Sequence, residues 1–132
     1  MRTFGYFTTI AVIAVLFVML SIQGLQAQAD SKKIFPALDV PVSSGAQTQN
    51  SNGIKLYNEG KWTEAAQAFR EAVRAADESA EAHYNLALAL DKLQQHKEAT
   101  QEFGHAIKLA PDNPAITESE ILKAHLAMKE KN

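Results

Sequence analysis

The sequence predicts an all-α fold, a short α-solenoid of two tandem helical hairpins followed by a C-terminal capping helix. Residues 80–113 repeat the pattern of residues 46–79 at an offset of 34 residues. Within each unit, apolar residues fall three and four apart, which is helical spacing. Small and large residues recur together, with Phe69 returning as Phe103. A period of this length is typical of stacked repeats, in which each unit buries an apolar face that it could not bury alone.

Residues 1–29 are interpreted as a targeting segment. Arg2 precedes an apolar run over residues 4–22, and no acidic residue occurs before Asp30. The small residues Ala27 and Ala29 occupy the two positions that a signal peptidase reads, which predicts cleavage before Asp30. The alternative is an uncleaved membrane anchor, since the apolar run is long enough to span much of a hydrocarbon core.

Both interpretations of the N-terminus place the repeats outside the cytoplasm. The chain has no cysteine to accept a lipid and no Asn-X-Ser/Thr glycosylation site. These features favour export to a bacterial periplasm. The alternative is a protein anchored in the inner membrane with its repeats outside the cytoplasm.

Residues 30–47 are predicted to form a flexible linker, because proline, serine and glycine are frequent and helical periodicity is weak. Its apolar patch is the sequence Ile34-Phe35-Pro36-Ala37-Leu38. Two interpretations are open for this patch. It is a spacer with a few isolated apolar residues, which is the favoured one, or it is a short segment that docks on a partner or folds back on the repeat groove.

Repeat 1 is assigned to residues 48–79. Its first helix is expected to end at Gly60, because glycine readily adopts the left-handed conformation that closes a helix. Its second helix is expected to begin at Trp62 or Thr63 and to end at Ala76. The unit therefore predicts one helical hairpin.

Repeat 2 is assigned to residues 80–113. Its first helix runs to about residue 93 and is capped by Ser79, whose hydroxyl can accept a hydrogen bond from the first turn. Its second helix covers residues 96–109 and ends before Pro111. The unit predicts a second hairpin of the same build.

Residues 114–132 are predicted to form a capping helix and a tail. Asn113 is a suitable cap, and Pro114 is favoured as a first helical residue. In the register of the repeats, Ile121 and Ala124 continue the apolar core positions, so the helix is expected to cover the open end of the stack. Two repeats are few, so either this cap suffices or a second chain completes the stack as a homodimer.

The second unit resembles the tetratricopeptide repeat family at its signature positions, which are Tyr84-Asn85-Leu86-Ala87, Leu90, Glu98-Ala99, Phe103, Ala106 and Pro111. The first unit departs from the family pattern at two places. Asn52 stands where a leucine is usual, and Asp77 stands where the closing proline is usual. The resemblance implies antiparallel hairpins whose first helices line a concave groove.

In that family the groove holds an extended peptide or a helix of a partner protein. The resemblance implies that the groove here is lined by first-helix residues of both units: Gln47, Asn50, Ile54, Tyr57, Asn58, Glu81, Tyr84, Asn85, Leu88, Asp91 and Lys92. The family often uses an asparagine at the position of Asn85 to bond a ligand backbone, which needs a donor and an acceptor together. A cluster of cations that would grip a terminal carboxylate is not found, so an apolar or aromatic segment is the expected ligand.

Catalytic residues, cofactors and metal sites are not predicted. The chain has no cysteine, no glycine-rich phosphate loop and no nucleophile elbow. No histidine forms an i, i+4 pair with the glutamate of a helical zinc site, so His96, His105 and His125 are interpreted as packing or surface residues. A formal net charge of −2 gives no electrostatic footprint for nucleic acid.

The leading hypothesis is a non-enzymatic adaptor of the cell envelope that binds a peptide or helix of another envelope protein in its groove. The alternative is a structural or assembly subunit of a larger envelope complex, docked through the N-terminal segment or the terminal helix. A membrane is a partner only if the N-terminal segment is not cleaved. Fold alone does not decide between these functions.

Overall fold

The computed structural model describes residues 34–41 and 45–129. The chain divides into two compact units, Met1–Ile34 and Phe35–Asn132. The predicted targeting segment, with the cleavage-site residues Ala27, Ala29 and Asp30, lies outside the described residues. Within the described ranges, every helix falls short of the length and apolar character needed to cross a bilayer.

Six helices and no strand occur in the part of the chain that the structure describes. They are α1 Gln47–Asn58, α2 Trp62–Ala75, α3 Ala80–Lys92, α4 His96–Leu109, α5 Pro114–Thr117 and α6 Glu120–Lys129. Helices adjacent in sequence pack on each other from α1 to α4, and α6 packs on α4. The predicted all-α fold of two helical hairpins in a short solenoid is confirmed.

The two hairpins close in the same way. Gly60 has a positive φ of 77°, and Gln94, which lies 34 residues later, has a positive φ of 62°. Glycine adopts this left-handed conformation without steric cost, whereas glutamine does not. The packing of the two helices in each hairpin therefore imposes this turn conformation, because the second hairpin adopts it without a glycine.

Small residues let the helices approach, and aromatic rings fill the space between them. Phe69 and Phe103 are fully buried, as are Ala65 and Ala99 at equivalent positions of α2 and α4. Gly53 of α1 lies directly against the Phe69 ring, because a Cβ atom built on Gly53 would come within 2.5 Å of Phe69 Cε1. Such complementarity of small and large residues is what close packing requires.

The predicted helix caps of the later elements are present. The Ser79 hydroxyl accepts a hydrogen bond from the backbone N–H of Ala82 at 3.3 Å. The Asn113 side chain accepts from the N–H of Ala115 at 3.1 Å, and Pro114 is the first residue of α5. These bonds satisfy helix N–H groups that have no partner within the helix.

The prediction of one continuous capping helix is wrong. The segment is broken after Thr117 and restarts at Glu120. Ile116 and Leu122 are both fully buried, and in one straight helix they would lie about 120° apart around the axis, since six residues correspond to about 600° of rotation. The break lets both side chains enter the core, and it leaves Ala124 exposed although the register of the repeats placed it inside.

Gly53→Ala is expected to lower the free energy of unfolding by about 1–3 kcal/mol, because the buried Phe69 ring must shift to admit a methyl group. Gly104→Ala is the matched control. Gly104 is also helical, and a methyl group added there would meet no heavy atom within 4 Å, so the same change should raise the free energy of unfolding by about 0.5–1 kcal/mol. Urea denaturation of both variants measures the difference. Equal shifts in the same direction would contradict the contact between Phe69 and Gly53.

Candidate functional site

An extended segment of the chain lies against the first helices of the two hairpins. The segment comprises residues 35–41, which form neither helix nor strand and are called the N-terminal strap below. Phe35, Ala37 and Leu38 pack against the main apolar core. Val40 is only 5% exposed and packs in a second cluster with Ala72 of α2 and Ala82 of α3. The strap therefore occupies the groove in which the family resemblance implies a ligand.

Asn85 of α3 binds the strap through both polar groups of one residue. Its Oδ1 accepts a hydrogen bond from the Leu38 backbone N–H at 2.7 Å, and its Nδ2 donates to the Leu38 carbonyl at 2.6 Å. Asn85 is fully buried. A carboxamide is suited to this contact because it carries a donor and an acceptor side by side.

Asn50 of α1 completes the contact from the other hairpin. Its Nδ2 donates to the Leu38 carbonyl at 3.0 Å, and its Oδ1 accepts from Asn85 Nδ2 at 2.7 Å. The Leu38 carbonyl thus receives two hydrogen bonds, one from each repeat. Because Asn50 is only 1% exposed, these bonds lie in a place where unpaired polar groups would be costly.

Partly or fully buried side chains of the strap are interspersed with exposed ones, as in an extended chain that lies on a surface. Phe35, Ala37, Leu38 and Val40 face the helices, while Pro36, Asp39 and Pro41 are exposed. Burial raises the pKa of the Tyr57 hydroxyl in α1 well above its usual value, the negative charge of Asp91 acts in the same direction, and the Phe35 backbone acts against it. Phe35 therefore lies beside Tyr57.

The spacer interpretation does not hold for the strap. Of the two interpretations of the apolar patch, folding back on the groove is the one that the contacts of Phe35, Ala37 and Leu38 show. Residues 30–33 and 42–44 of the predicted linker lie outside the described residues. A sequence signal was present, because the patch is apolar and is interrupted by proline, which favours an extended backbone.

The structure separates the predicted groove residues into four sets. Asn50 and Asn85 bind the strap, and Ile54, Tyr57, Tyr84 and Leu88 belong to the apolar core against which it packs. Gln47 and Asn58 are exposed. The remaining predicted residues contact other side chains: Glu81 accepts from Asn113 Nδ2, Asp91 contacts His96 and His125, and Lys92 lies over the Trp62 ring.

Tyr84 connects the groove with the cap. Its hydroxyl is 2.9 Å from the Ser119 hydroxyl, which lies in the break between α5 and α6. Its ring packs edge to face on Phe103 at a centroid distance of 5.6 Å. The sequence did not predict this role, because the partner lies 35 residues away in a segment that was expected to be helical.

Residues 52–114 match the family model described as Tetratricopeptide repeat. The match supports a tetratricopeptide-repeat protein, a class whose repeats are generally protein–protein interaction modules on a non-enzymatic adaptor fold. No match to the chain was found among curated proteins or among solved structures.

A partly buried histidine–carboxylate pair between α3 and α4 predicts a dependence of stability on pH. His83 Nδ1 lies 2.6 Å from Glu102 Oε2, and its Nε2 lies 2.9 Å from the Asp77 carbonyl. The hydrogen bond to Glu102 raises the pKa of His83 above its ordinary value of 6.5 and outweighs burial, which acts to lower it. His105 stacks on the same ring.

Since the folded state holds the His83 proton more tightly than the unfolded chain, this stabilisation is complete below about pH 6.5 and is lost as the pH rises through the pKa of the folded state. The free energy of unfolding is expected to fall between pH 6 and pH 8 by more in the wild type than in Glu102→Gln, which keeps the shape of the side chain and removes its charge. Urea denaturation across this pH range measures it. Parallel pH profiles in the two proteins would contradict the ion pair.

Proposed function

We propose that this protein is a non-enzymatic adaptor that binds an extended segment of another protein in the groove between α1 and α3, in place of its own strap. The observation that carries the proposal is the contact of Asn50 and Asn85 with both backbone groups of Leu38. These bonds involve only main-chain atoms of the bound residue. Any extended peptide except one with proline at this position offers the same atoms.

Side-chain pockets supply the selectivity that the backbone contacts lack. The strap partly buries an aromatic residue at Phe35, a small residue at Ala37 and a leucine at Leu38, and it buries a β-branched residue at Val40. A partner segment is therefore expected to be uncharged at the equivalents of these positions and to tolerate charge at the equivalent of the exposed Asp39. This is recognition of an extended chain by backbone bonds and apolar pockets.

The strap acts in this proposal as an intramolecular competitor. It is joined to α1 by a few residues, so its effective concentration at the groove is on the order of millimolar or higher. An external segment binds only in the fraction of molecules whose strap has left the groove, which lowers its apparent affinity by that fraction. Weakly binding segments therefore do not displace the strap from the groove.

A blocked, fluorescent peptide with the sequence of residues 34–41 tests the exchange. In the full chain, Leu38→Pro removes the N–H that Asn85 binds and is expected to free the groove, so that peptide affinity rises at least about tenfold over the wild type. Asp39→Ala, an exposed position of the same strap, is the matched control and should bind the peptide as weakly as the wild type. Fluorescence anisotropy measures the affinities.

Two further measurements make the result specific. The peptide carrying proline in place of leucine should not bind the Leu38→Pro chain, and adding Asn85→Ala to that chain should abolish binding of the native peptide. Circular dichroism establishes that the variants keep their helices. If the folded Leu38→Pro chain binds the peptide no better than the wild type, exchange in this groove is refuted.

A second candidate, a structural or assembly subunit, is favoured by the same occupied groove. If the strap never leaves, its buried bonds serve stability, and the partner surface lies elsewhere on the molecule. The peptide experiment separates the two candidates, because a permanent strap predicts no gain of binding by a peptide supplied from outside. The adaptor remains the better supported one, since the resemblance assigns a ligand to this groove.

We also propose that the repeats act outside the cytoplasm, in a bacterial periplasm or anchored on the outer face of the inner membrane. The apolar run over residues 4–22 and the alanines at positions 27 and 29 support this. Cleavage before Asp30 would leave the strap on the mature chain. Mass spectrometry of the protein from the envelope is expected to find Asp30 as the first residue, and an intact Met1 would contradict cleavage.

A further inference from the structure

Three potential metal ligands from separate parts of the sequence lie together beside the turn of the second hairpin. Asp91 lies near the end of α3, His96 begins α4, and His125 lies in α6. Asp91 Oδ1 is 3.0 Å from His96 Nδ1 and 3.0 Å from His125 Nε2. All three ligand atoms lie within 4.8 Å of one another.

The Thr100 hydroxyl lies against the second ring nitrogen of His125 and suits the tautomer that a metal ligand needs. The Thr100 hydroxyl has one proton, which it donates to the His96 carbonyl at 2.8 Å. With its proton in that bond, the hydroxyl is an acceptor for the N–H of His125 Nδ1, which lies 2.8 Å away. In a neutral His125 the Nε2 atom then carries a lone pair, and that lone pair faces the Asp91 carboxylate.

His96 also directs one ring nitrogen toward Asp91. Its Nε2 lies 3.2 Å from Gln94 Oε1, an acceptor that suits the tautomer of a neutral ring with its proton on Nε2. Its Nδ1 lone pair then points at Asp91 Oδ1. In this pair of tautomers two ring nitrogens and the Asp91 carboxylate converge as acceptors on one place, and either a proton or a metal ion between them relieves their repulsion.

We propose that Asp91, His96 and His125 bind a divalent transition-metal ion, with Zn²⁺ the ion that best suits this donor set. Imidazole and carboxylate ligands around Zn²⁺ lie at about 2.0–2.2 Å, which places tetrahedral ligand atoms about 3.3 Å apart. The two separations from Asp91 Oδ1 are 3.0 Å and the third lies within 4.8 Å, so side-chain rotations that bring the two histidines together admit the ion. Asp91 is 19% and His96 51% exposed in their side chains, so the fourth position is open to water.

The surroundings of His125 are those of a metal-binding histidine. Its side chain is only 3% exposed, the Phe103 ring packs on it at a centroid distance of 5.1 Å, and its second nitrogen is held by Thr100. Metal-ligating histidines are held through the second nitrogen in the same way. Because the ligands come from α3, α4 and α6, the ion would join the cap to the second hairpin.

The tag-free full chain, stripped with a chelator, is titrated with Zn²⁺ and followed by calorimetry and thermal unfolding. We expect one ion per chain and a rise of about 5 °C or more in the midpoint at a hundredfold excess over the dissociation constant. Mg²⁺ should give no rise, since it prefers oxygen ligands. Co²⁺ should give the strong visible absorption of a tetrahedral site.

His96→Gln is the decisive variant, because His96 is exposed and its loss should leave the apo fold intact. It is expected to weaken Zn²⁺ binding at least about tenfold and to abolish the Co²⁺ absorption. His105→Gln is the matched control; this residue is also exposed in α4 but stacks on His83 instead. It should bind Zn²⁺ as the wild type does.

Two outcomes overturn the proposal. If Zn²⁺ stabilises His96→Gln as much as the wild type, or if His105→Gln is the variant that loses binding, the ion lies elsewhere. If Zn²⁺ gives no stabilisation in the wild type at pH 7.5, where free imidazole is mostly neutral, the three side chains share a proton and do not bind a metal. The strap and its groove are not involved, so either result leaves the proposed adaptor function open to its own test.

Discussion

The contact between the Phe69 ring and the backbone of Gly53 sets how closely α1 and α2 approach each other, and the groove depends on that approach. A side chain as small as a methyl group would already overlap the ring. Asn50 lies three residues before Gly53 on α1, and the two positions share one side of the helix. The same packing that closes the first hairpin therefore brings Asn50 to within 2.7 Å of Asn85 on the next one.

The groove combines recognition of main-chain atoms with apolar contacts, and the two parts have different consequences. The bonds to Leu38 fix the direction and register of the bound segment, because this residue is held at both its N–H and its carbonyl. The apolar contacts of Phe35 and Val40 lie on either side of that point and in different clusters. An extended segment is thus held at its centre by hydrogen bonds and toward its ends by apolar contacts.

Polar side chains connect α3 to α4 at two separate places. His83 pairs with Glu102 near the start of α3, and Asp91 contacts His96 near its end. Asp91 illustrates the balance involved: burial acts to raise its pKa, but the hydrogen bonds and charges of His125 and His96 outweigh burial and lower it. Because His125 also contacts Asp91, the polar contacts around Asp91 reach α6 as well. The hairpin that carries Asn85 is therefore held by charged and polar contacts as well as by its apolar core.

The sequence alone determined the repeat, the helices of both hairpins and most of their ends, because these follow from local periodicity and from capping residues such as Ser79 and Asn113. It also identified Asn50 and Asn85 as groove residues through the family resemblance. Only the tertiary structure decided that the strap fills the groove, that the cap is broken at Ser119, and that Asp91, His96 and His125 converge. Each of these outcomes depends on contacts between residues far apart in the chain, and such contacts leave no periodic signal in a single sequence.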